Sequence, residues 1–146
     1  MKADHDFKDT LVQICRELNP KNILEWGPGK STEIMYFECP NASIFTNEHS
    51  KKYYERAIAL YSDMASIRYA TGDEYISVSG KYDLIFVDGR QRVKCLIAAY
   101  LVLNQGGAII LHDAERERYQ PGIKALLALG MKQTGTERTG VFKNEL

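Results

Sequence analysis

The stretch Ile23-Leu24-Glu25-Trp26-Gly27-Pro28-Gly29-Lys30-Ser31 decides the fold class of this 146-residue chain. The apolar run at 22–26 predicts a short strand, and the glycine-proline-glycine tract after it forces a turn. Ser31-Thr32 can then cap a helix that runs to about residue 37. Strand, glycine-rich turn and helix in this order indicate the first unit of an α/β sheet, with the turn at the carboxyl end of its strand.

The same alternation of strand and helix continues on both sides of this unit. Apolar positions at helical spacing predict a helix that ends at Asn19-Pro20. The other predicted elements are strands at 42–46, 66–70, 82–87 and 108–111, helices at 51–64, 93–101 and 121–129, and a hairpin of 131–134 and 138–143. The pattern predicts a single domain over residues 1–146, an α/β fold with a doubly wound, mostly parallel sheet and helices on both faces.

The charge of the chain is balanced, with 19 Lys plus Arg against 19 Asp plus Glu. This balance removes the long-range field on which nonspecific binders of nucleic acids and membrane surfaces depend. A chain of this length can also bury a core without disulfide or metal cross-links. We therefore expect an ordinary globular domain without a nucleic-acid partner.

Cysteine spacing and the N-terminal residues predict the cellular compartment. Cys15, Cys39 and Cys95 are odd in number and have no zinc-type spacing, as expected for reduced thiols. The first residues lack the apolar segment of a signal peptide. The uncharged stretch 95–111 is interrupted by Gly106-Gly107, which favours a helix, a turn and a strand over a membrane span. The sequence therefore predicts a cytoplasmic protein that does not enter a membrane.

Acidic residues stand at the ends of the predicted parallel strands. They are Glu25, Glu48, Asp73, Asp88 and Asp113. In a doubly wound sheet, ligands bind beyond the carboxyl ends of the strands. Each residue alone is typical of a solvated loop, but their joint placement at successive strand ends indicates a ligand site.

Three kinds of nucleotide site compete for this edge. A P-loop would need a glycine where Leu24 stands, so the loop cannot wrap a phosphate. A dinucleotide site would place Glu48 on the ribose, but Thr32 replaces its third glycine and Glu25 at the rim of the turn would repel a pyrophosphate. S-adenosylmethionine carries an ammonium and a sulfonium, which carboxylates attract. The acidic pattern therefore favours S-adenosylmethionine.

Each residue of the edge has a role in this hypothesis. Glu25 would attract the cationic groups of the cofactor, and Glu48 would accept hydrogen bonds from the ribose diol. Asp73 would accept a hydrogen bond from the adenine amine. The helix N-terminus at Ser31 would bind the methionine carboxylate.

Residues 23–31 resemble motif I of the class I S-adenosylmethionine-dependent methyltransferases. Glu48 matches that family's acidic residue after the second strand, Gly72-Asp73 its adenine-side position, and residues 82–89 its motif IV strand. The closing hairpin is similar to the family's sixth and seventh strands. The resemblance implies a Rossmann-like fold with a seven-stranded sheet. The cofactor contacts that it implies are Glu25, Trp26, Gly27, Pro28, Gly29, Ser31, Glu48, Asp73 and Asp88.

Within that family, Val87-Asp88-Gly89-Arg90 and His112-Asp113-Ala114 most resemble the small-molecule O-methyltransferases. Cation-dependent members carry Asp-Asn where Asp113-Ala114 stands here. With only Asp88 and Asp113 left as ligands, we expect a site without metal. The chain has about one helix before its first strand, less than most members. The resemblance therefore implies a substrate side that is open or covered by another subunit, as in a homo-oligomer.

Methyl transfer to a hydroxyl requires contact between donor and acceptor and the removal of a proton. His112 beside Asp113 is the first candidate for the base, because an imidazole titrates near neutral pH. The alternative is that His112 only forms a hydrogen bond with the backbone. Asp88 and Tyr119 are the next candidates.

Four arginines follow the fourth and fifth predicted strands: Arg90, Arg92, Arg116 and Arg118. Cations near a helix N-terminus oppose its dipole, which suggests a compensating anion. We therefore expect an anionic small-molecule acceptor that contacts Arg90, Arg116 and Tyr119. The alternative is a solvated rim in which Glu115 and Glu117 form salt bridges with the arginines.

Two other functions remain open from the sequence. The chain could be a regulatory or partner subunit that binds S-adenosylmethionine without turnover, or a nicotinamide-dependent oxidoreductase. Turnover of an acceptor would exclude the first function. Binding of S-adenosylmethionine but not of NAD would exclude the second.

Overall fold

The computed structural model describes the backbone of residues 2–144 and the side chains of residues 6–144. The strands are β1 (Asn22–Trp26), β2 (Ser43–Glu48), β3 (Ser66–Tyr69), β4 (Tyr82–Val87), β5 (Leu103–His112), β6 (Met131–Gly135) and β7 (Thr139–Asn144). The helices are α1 (Lys2–Leu18), α2 (Lys30–Glu38), α3 (Lys51–Tyr61), α4 (Gly72–Ile76), α5 (Arg92–Val102) and α6 (Gln120–Ala128), with a 3-10 turn at Glu117–Tyr119. Among the described residues, no helix is both long and apolar enough to cross a membrane.

The seven strands form one sheet in the order β3-β2-β1-β4-β5-β7-β6. The first five run parallel, and β7 is antiparallel to both β5 and β6. Apolar side chains of α1 and α2 pack on one face of the sheet, and those of α5 and α6 pack on the other. The predicted doubly wound, mostly parallel sheet with a C-terminal antiparallel hairpin is confirmed.

The structure differs from the predicted elements in several bounds; α3, for example, ends at Tyr61 instead of residue 64. β2 continues to Glu48, so this carboxylate belongs to the strand itself. The short helix α4 follows β3, where the sequence indicated only a turn. β5 begins at Leu103, five residues before its predicted start, because Leu103 pairs with Tyr82 across an irregularity in the β4–β5 register. Residues 104–107 have no partner in that register, and Gly106 has a φ of +83°, so Gly106-Gly107 form a bulge inside β5.

The turn after β1 lies directly against the loop after β4. Gly27 has a φ of +92°, and a Cβ atom there would lie 2.6 Å from the main-chain oxygen of Asp88. Its N–H donates a hydrogen bond to the main-chain oxygen of Asn47 at 3.0 Å, which ties the turn to β2 as well. Gly29 has an extended backbone, and no atom lies within 4 Å of the position of its Cβ. Only the first of these two glycines is required by the packing.

Glu25 lies beneath this turn, which corrects its predicted place at the rim. Its side chain is fully buried and accepts hydrogen bonds from the hydroxyls of Ser31 and Thr32 in the first turn of α2. Burial raises the pKa of Glu25 to about 7, although both hydroxyls favour the charged form. The hydroxyl of Ser31 is therefore engaged inside the protein. Because Glu25 is buried, it does not repel a pyrophosphate at the rim. This repulsion therefore gives no reason to prefer S-adenosylmethionine over a dinucleotide.

We predict that Gly27→Ala lowers the free energy of unfolding by about 2 kcal/mol or more, because it combines a left-handed backbone with a clash against main-chain atoms. Gly29→Ala is the matched control and should change stability by less than about 0.5 kcal/mol, as at other unconstrained sites. Urea denaturation of both variants measures the difference. Equal effects would contradict the close approach of the two loops.

We predict that Glu25→Gln removes a pH dependence of stability. The pKa of Glu25 is about 7 in the folded protein against an ordinary 4.5. A raised folded pKa means that the carboxyl stabilises the fold below pH 4.5 and that this stability is lost as the pH rises towards 7. The unfolding free energy of the wild type relative to Glu25→Gln should therefore fall by up to about 3 kcal/mol across this window. A relative stability that rises with pH would show that the hydroxyls outweigh burial.

Candidate functional site

A cleft of about 700 Å³ opens at the carboxyl ends of the central strands. This volume lies within the range of small-molecule sites in proteins. Four parts of the chain line it: Gly27 and Pro28; Glu48, His49 and Tyr53; residues 88–94; and Arg118 with Tyr119. The turn after β1 therefore meets two of the five predicted acidic strand ends, Glu48 and Asp88, in one cavity.

Glu48 is the best-positioned carboxylate in the cleft. Its Oε2 accepts hydrogen bonds from the backbone N–H groups of His49 and Ser50, each at 2.9 Å. The Nδ1 atom of His49 lies 3.1 Å from the same oxygen. No described residue contacts Oε1 by a hydrogen bond, although the side chain is only 8% exposed. One oxygen fixes the carboxylate, and the other remains as an acceptor for a ligand.

Asp88 lines the cleft beneath Pro28, with its side chain 33% exposed. Burial raises the pKa of its carboxyl above the ordinary range, although the nearby His112 and Arg92 oppose the shift. An ionised Asp88 is therefore a stronger base than an ordinary aspartate. Asp88 therefore combines a partly exposed carboxylate with a raised pKa inside the cleft.

Arg92 joins the ends of β4 and β5, and the predicted site residues did not include it. Its guanidinium donates hydrogen bonds to the main-chain oxygens of Gly89, at 2.9 Å, and His112, at 2.7 Å. It lies 3.1 Å from a carboxylate oxygen of Asp88 and rests on the ring of Tyr119 at 4.7 Å. With 12% of its side chain exposed, Arg92 holds the cleft together and is not free to bind an anion.

His112 lies outside the cleft, which corrects its predicted position. Its ring packs edge-on against Phe7 of α1 at 5.0 Å, and its Nδ1 is buried without a hydrogen-bond partner. Nε2 lies 3.6 Å from Asp113, whose carboxylate also faces the guanidinium groups of Arg92 and Arg116. His112 therefore faces α1 instead of the cleft, and Asp88 is the candidate base inside the cleft.

Three further predicted cofactor contacts, Trp26, Gly29 and Asp73, do not line the cleft. Trp26 is fully buried, and its indole N–H donates a hydrogen bond to the main-chain oxygen of Tyr75 at 2.7 Å. Asp73 is exposed in the first turn of α4, and the neighbouring Gly72 accepts a hydrogen bond from the side chain of Gln91. Trp26 fixes the end of α4 against the sheet, and Gln91, which binds the start of α4 through Gly72, lines the cleft where Asp73 does not.

The predicted arginines separate into two groups. Arg92 and Arg116 face carboxylates, and Arg116 lies 3.4 Å from Asp113. Arg90 and Arg118 line the cleft, together with Lys94. None of these three forms an ion pair with a described residue, and Glu115 and Glu117 form none either. The predicted salt-bridged rim is therefore wrong for the two glutamates, and the predicted substrate contact at Arg116 is replaced by an ion pair.

Sequence reasoning also missed His49, Tyr53 and Lys94, which line the cleft. His49 directly follows Glu48, so the position of the strand end could have identified it. Tyr53 and Lys94 lie in the first turns of α3 and α5, where the direction of a side chain depends on how the helix is packed. No group of three or more metal-ligating side chains occurs within the described part of the chain.

No protein-family model and no curated protein sequence matches the chain. Several solved structures are similar to the chain. A caffeoyl-CoA O-methyltransferase-like protein from Staphylococcus aureus has a TM-score of 0.77 and 18% identity, over 95% of this chain and 83% of that one. A methyltransferase-like protein from Silicibacter pomeroyi has a TM-score of 0.76 and 20% identity, over 96% and 85%.

The N-methyltransferase NodS from Bradyrhizobium japonicum, solved in complex with S-adenosylhomocysteine, has a TM-score of 0.69 and 18% identity, over 99% of this chain and 88% of that one. At such low identities, the likeness establishes the fold. The strand order, the antiparallel β7 and the solved structures lead to the same conclusion. The chain has the fold of the class I S-adenosylmethionine-dependent methyltransferases.

Proposed function

We propose that this protein binds S-adenosylmethionine in the cleft and transfers its methyl group to a hydroxyl of a small-molecule acceptor. The observation that carries the proposal is the carboxylate of Glu48, which two backbone N–H groups hold by one oxygen while the other has no partner. A fixed carboxylate with a free acceptor suits two adjacent hydroxyls, as in a ribose. The solved complex of NodS with S-adenosylhomocysteine supports this choice of cofactor.

The residues of the cleft fit the rest of the cofactor. Gly27 and Pro28 leave the space above the end of β1 free of large side chains, because the turn is packed downwards onto the loop after β4. Asp88 and Glu48 give this side of the cleft negative charge, which suits a ligand with an ammonium and a sulfonium. When bound, S-adenosylmethionine supplies an electrophilic methyl group.

Asp88 is the proposed base for the transfer. The acceptor oxygen forms its bond to the methyl carbon as the bond between that carbon and sulfur breaks, and the hydroxyl proton passes to the carboxylate of Asp88. S-adenosylhomocysteine and the methyl ether are the products. Arg92 keeps Asp88 in position from below, at 3.1 Å, and leaves the exposed part of the carboxylate towards the cleft. His112 and Asp113 support this arrangement from the side of α1.

Two alternatives make different demands on the same cleft. A regulatory subunit would bind S-adenosylmethionine equally well but would not need the raised pKa of Asp88. A nicotinamide-dependent oxidoreductase would have to place a pyrophosphate near the turn after β1. Asp88 lines the cleft there and disfavours that negative charge, which is the role the sequence had suggested for Glu25. A homo-oligomer that covers the open side of the cleft and a cytoplasmic location stay predictions.

We predict that Glu48→Ala weakens the binding of S-adenosylhomocysteine by about 1.5 to 3 kcal/mol, because it removes a charged hydrogen-bond acceptor. Glu55→Ala is the matched control, since Glu55 is an exposed carboxylate on α3 outside the cleft. Isothermal calorimetry gives both affinities, and NAD serves as the competing ligand. Unchanged affinity in a folded Glu48→Ala variant, or tighter binding of NAD, would contradict the proposed cofactor site.

We predict that Asp88→Asn lowers kcat roughly 100- to 10,000-fold, as expected for the loss of a general base. His112→Gln should have a smaller effect, because His112 does not line the cleft. In the wild type, kcat/KM should fall with decreasing pH at a pKa above that of an ordinary aspartate. Acceptors are found by screening hydroxylated metabolites. The opposite ranking of the two variants would identify His112 as the base, and full activity of both would exclude base catalysis by either.

A further inference from the structure

One wall of the cleft carries three cations, Arg90, Lys94 and Arg118, which we call the cation wall. No ion pair or side-chain hydrogen bond joins any of the three to another described residue. Arg118 lies over the ring of Tyr119 at 5.8 Å, a contact that positions the guanidinium without neutralising it. All three side chains are exposed and unpaired, so the cation wall is available to an anion in the cleft.

The neighbouring charges show that this lack of partners is specific to the wall. Arg92 and Arg116 belong to the same two loops, and each has a carboxylate within 4 Å. Glu115 and Glu117 are close in sequence to Arg118 but form no ion pair with it. The carboxylates of these segments thus neutralise Arg92 and Arg116 and leave the three cations of the wall unpaired.

The start of α5 adds to the positive potential of the wall. The first turn of this helix contains no acidic residue, and Gln91, at the N-cap, has a left-handed backbone and no side-chain capping hydrogen bond. Arg92 and Lys94 both lie in that turn, where cations oppose the helix dipole. A bound anion would offset the unfavourable interactions of Arg92 and Lys94 with the helix dipole.

The strand order separates an acidic side of the cleft, where Glu48 ends β2, from the cation wall, which belongs to the segments after β4 and β5; Asp88, at the end of β4, lies between them. A cofactor with a net positive charge belongs on the acidic side. We infer that the cation wall binds a phosphate monoester on the acceptor, an inference that rests on the proposed function. A phosphate monoester has about two negative charges and three acceptor oxygens, which suit three cations with two arginine forks better than a single carboxylate does.

The test uses the full chain saturated with S-adenosylhomocysteine and inorganic phosphate as the probe. Amide chemical shifts are followed at constant ionic strength, and acetate provides a carboxylate control. Phosphate should shift residues 90–95 and 118–119 and should bind roughly tenfold more weakly to Lys94→Gln/Arg118→Gln. The matched control Lys124→Gln/Arg138→Gln also removes two exposed cations, but these lie outside the cleft, and its affinity should equal that of the wild type.

Each other outcome has a definite meaning. Equal weakening in the control variant, or acetate binding as tight as phosphate, would overturn the inference. Phosphate that displaces S-adenosylhomocysteine would also overturn it, because the cations would then belong to the cofactor end of the cleft. If S-adenosylhomocysteine fails to bind while phosphate still binds at the cation wall, the anion subsite stands and the proposed function fails.

Discussion

The site depends on the contact between the main chain of Gly27 and that of Asp88. The turn after β1 can approach the loop after β4 this closely only because residue 27 has no side chain. The contact closes the base of the cleft and brings Asp88 next to the end of β1. It also leaves space for a ligand above the turn. A loop with larger side chains would fill that space. The ends of β1 and β4 thus form one continuous surface at the base of the cleft.

Charged side chains connect the ends of β1 and β4 to the end of β5 and determine the charge of the cleft. Arg92 connects the main chain of the β4 and β5 ends and faces Asp88 and Asp113, so those carboxylates are partly neutralised from below. Glu48 is held by backbone N–H groups at the other end of the cleft. The result is an acidic side and a basic side in one cavity, a polarity that suits a cationic donor beside an anionic acceptor.

Local sequence signals predicted most of the fold correctly. β1 and β4 have the predicted bounds, because both are rich in apolar residues and both are ended by residues that favour turns. The start of β5 and the extension of β2 were missed, since both depend on pairing with a neighbouring strand. The helix α4 was missed because five residues are too few for a helical period, and it is held by Trp26 and Arg68 through main-chain oxygens at its end.

The sequence by itself determined the order of elements, the glycine turn and the acidic strand ends, because each depends on residues close together in the chain. Only the tertiary structure decided which of those side chains reach the cleft. Glu25 and His112 stand at strand ends, yet Glu25 lies beneath the hydroxyls of α2 and His112 packs against α1. Arg92 entered the site through contacts with residues up to 27 positions away. Strand pleating and helix packing set these directions, and neither is encoded in local spacing.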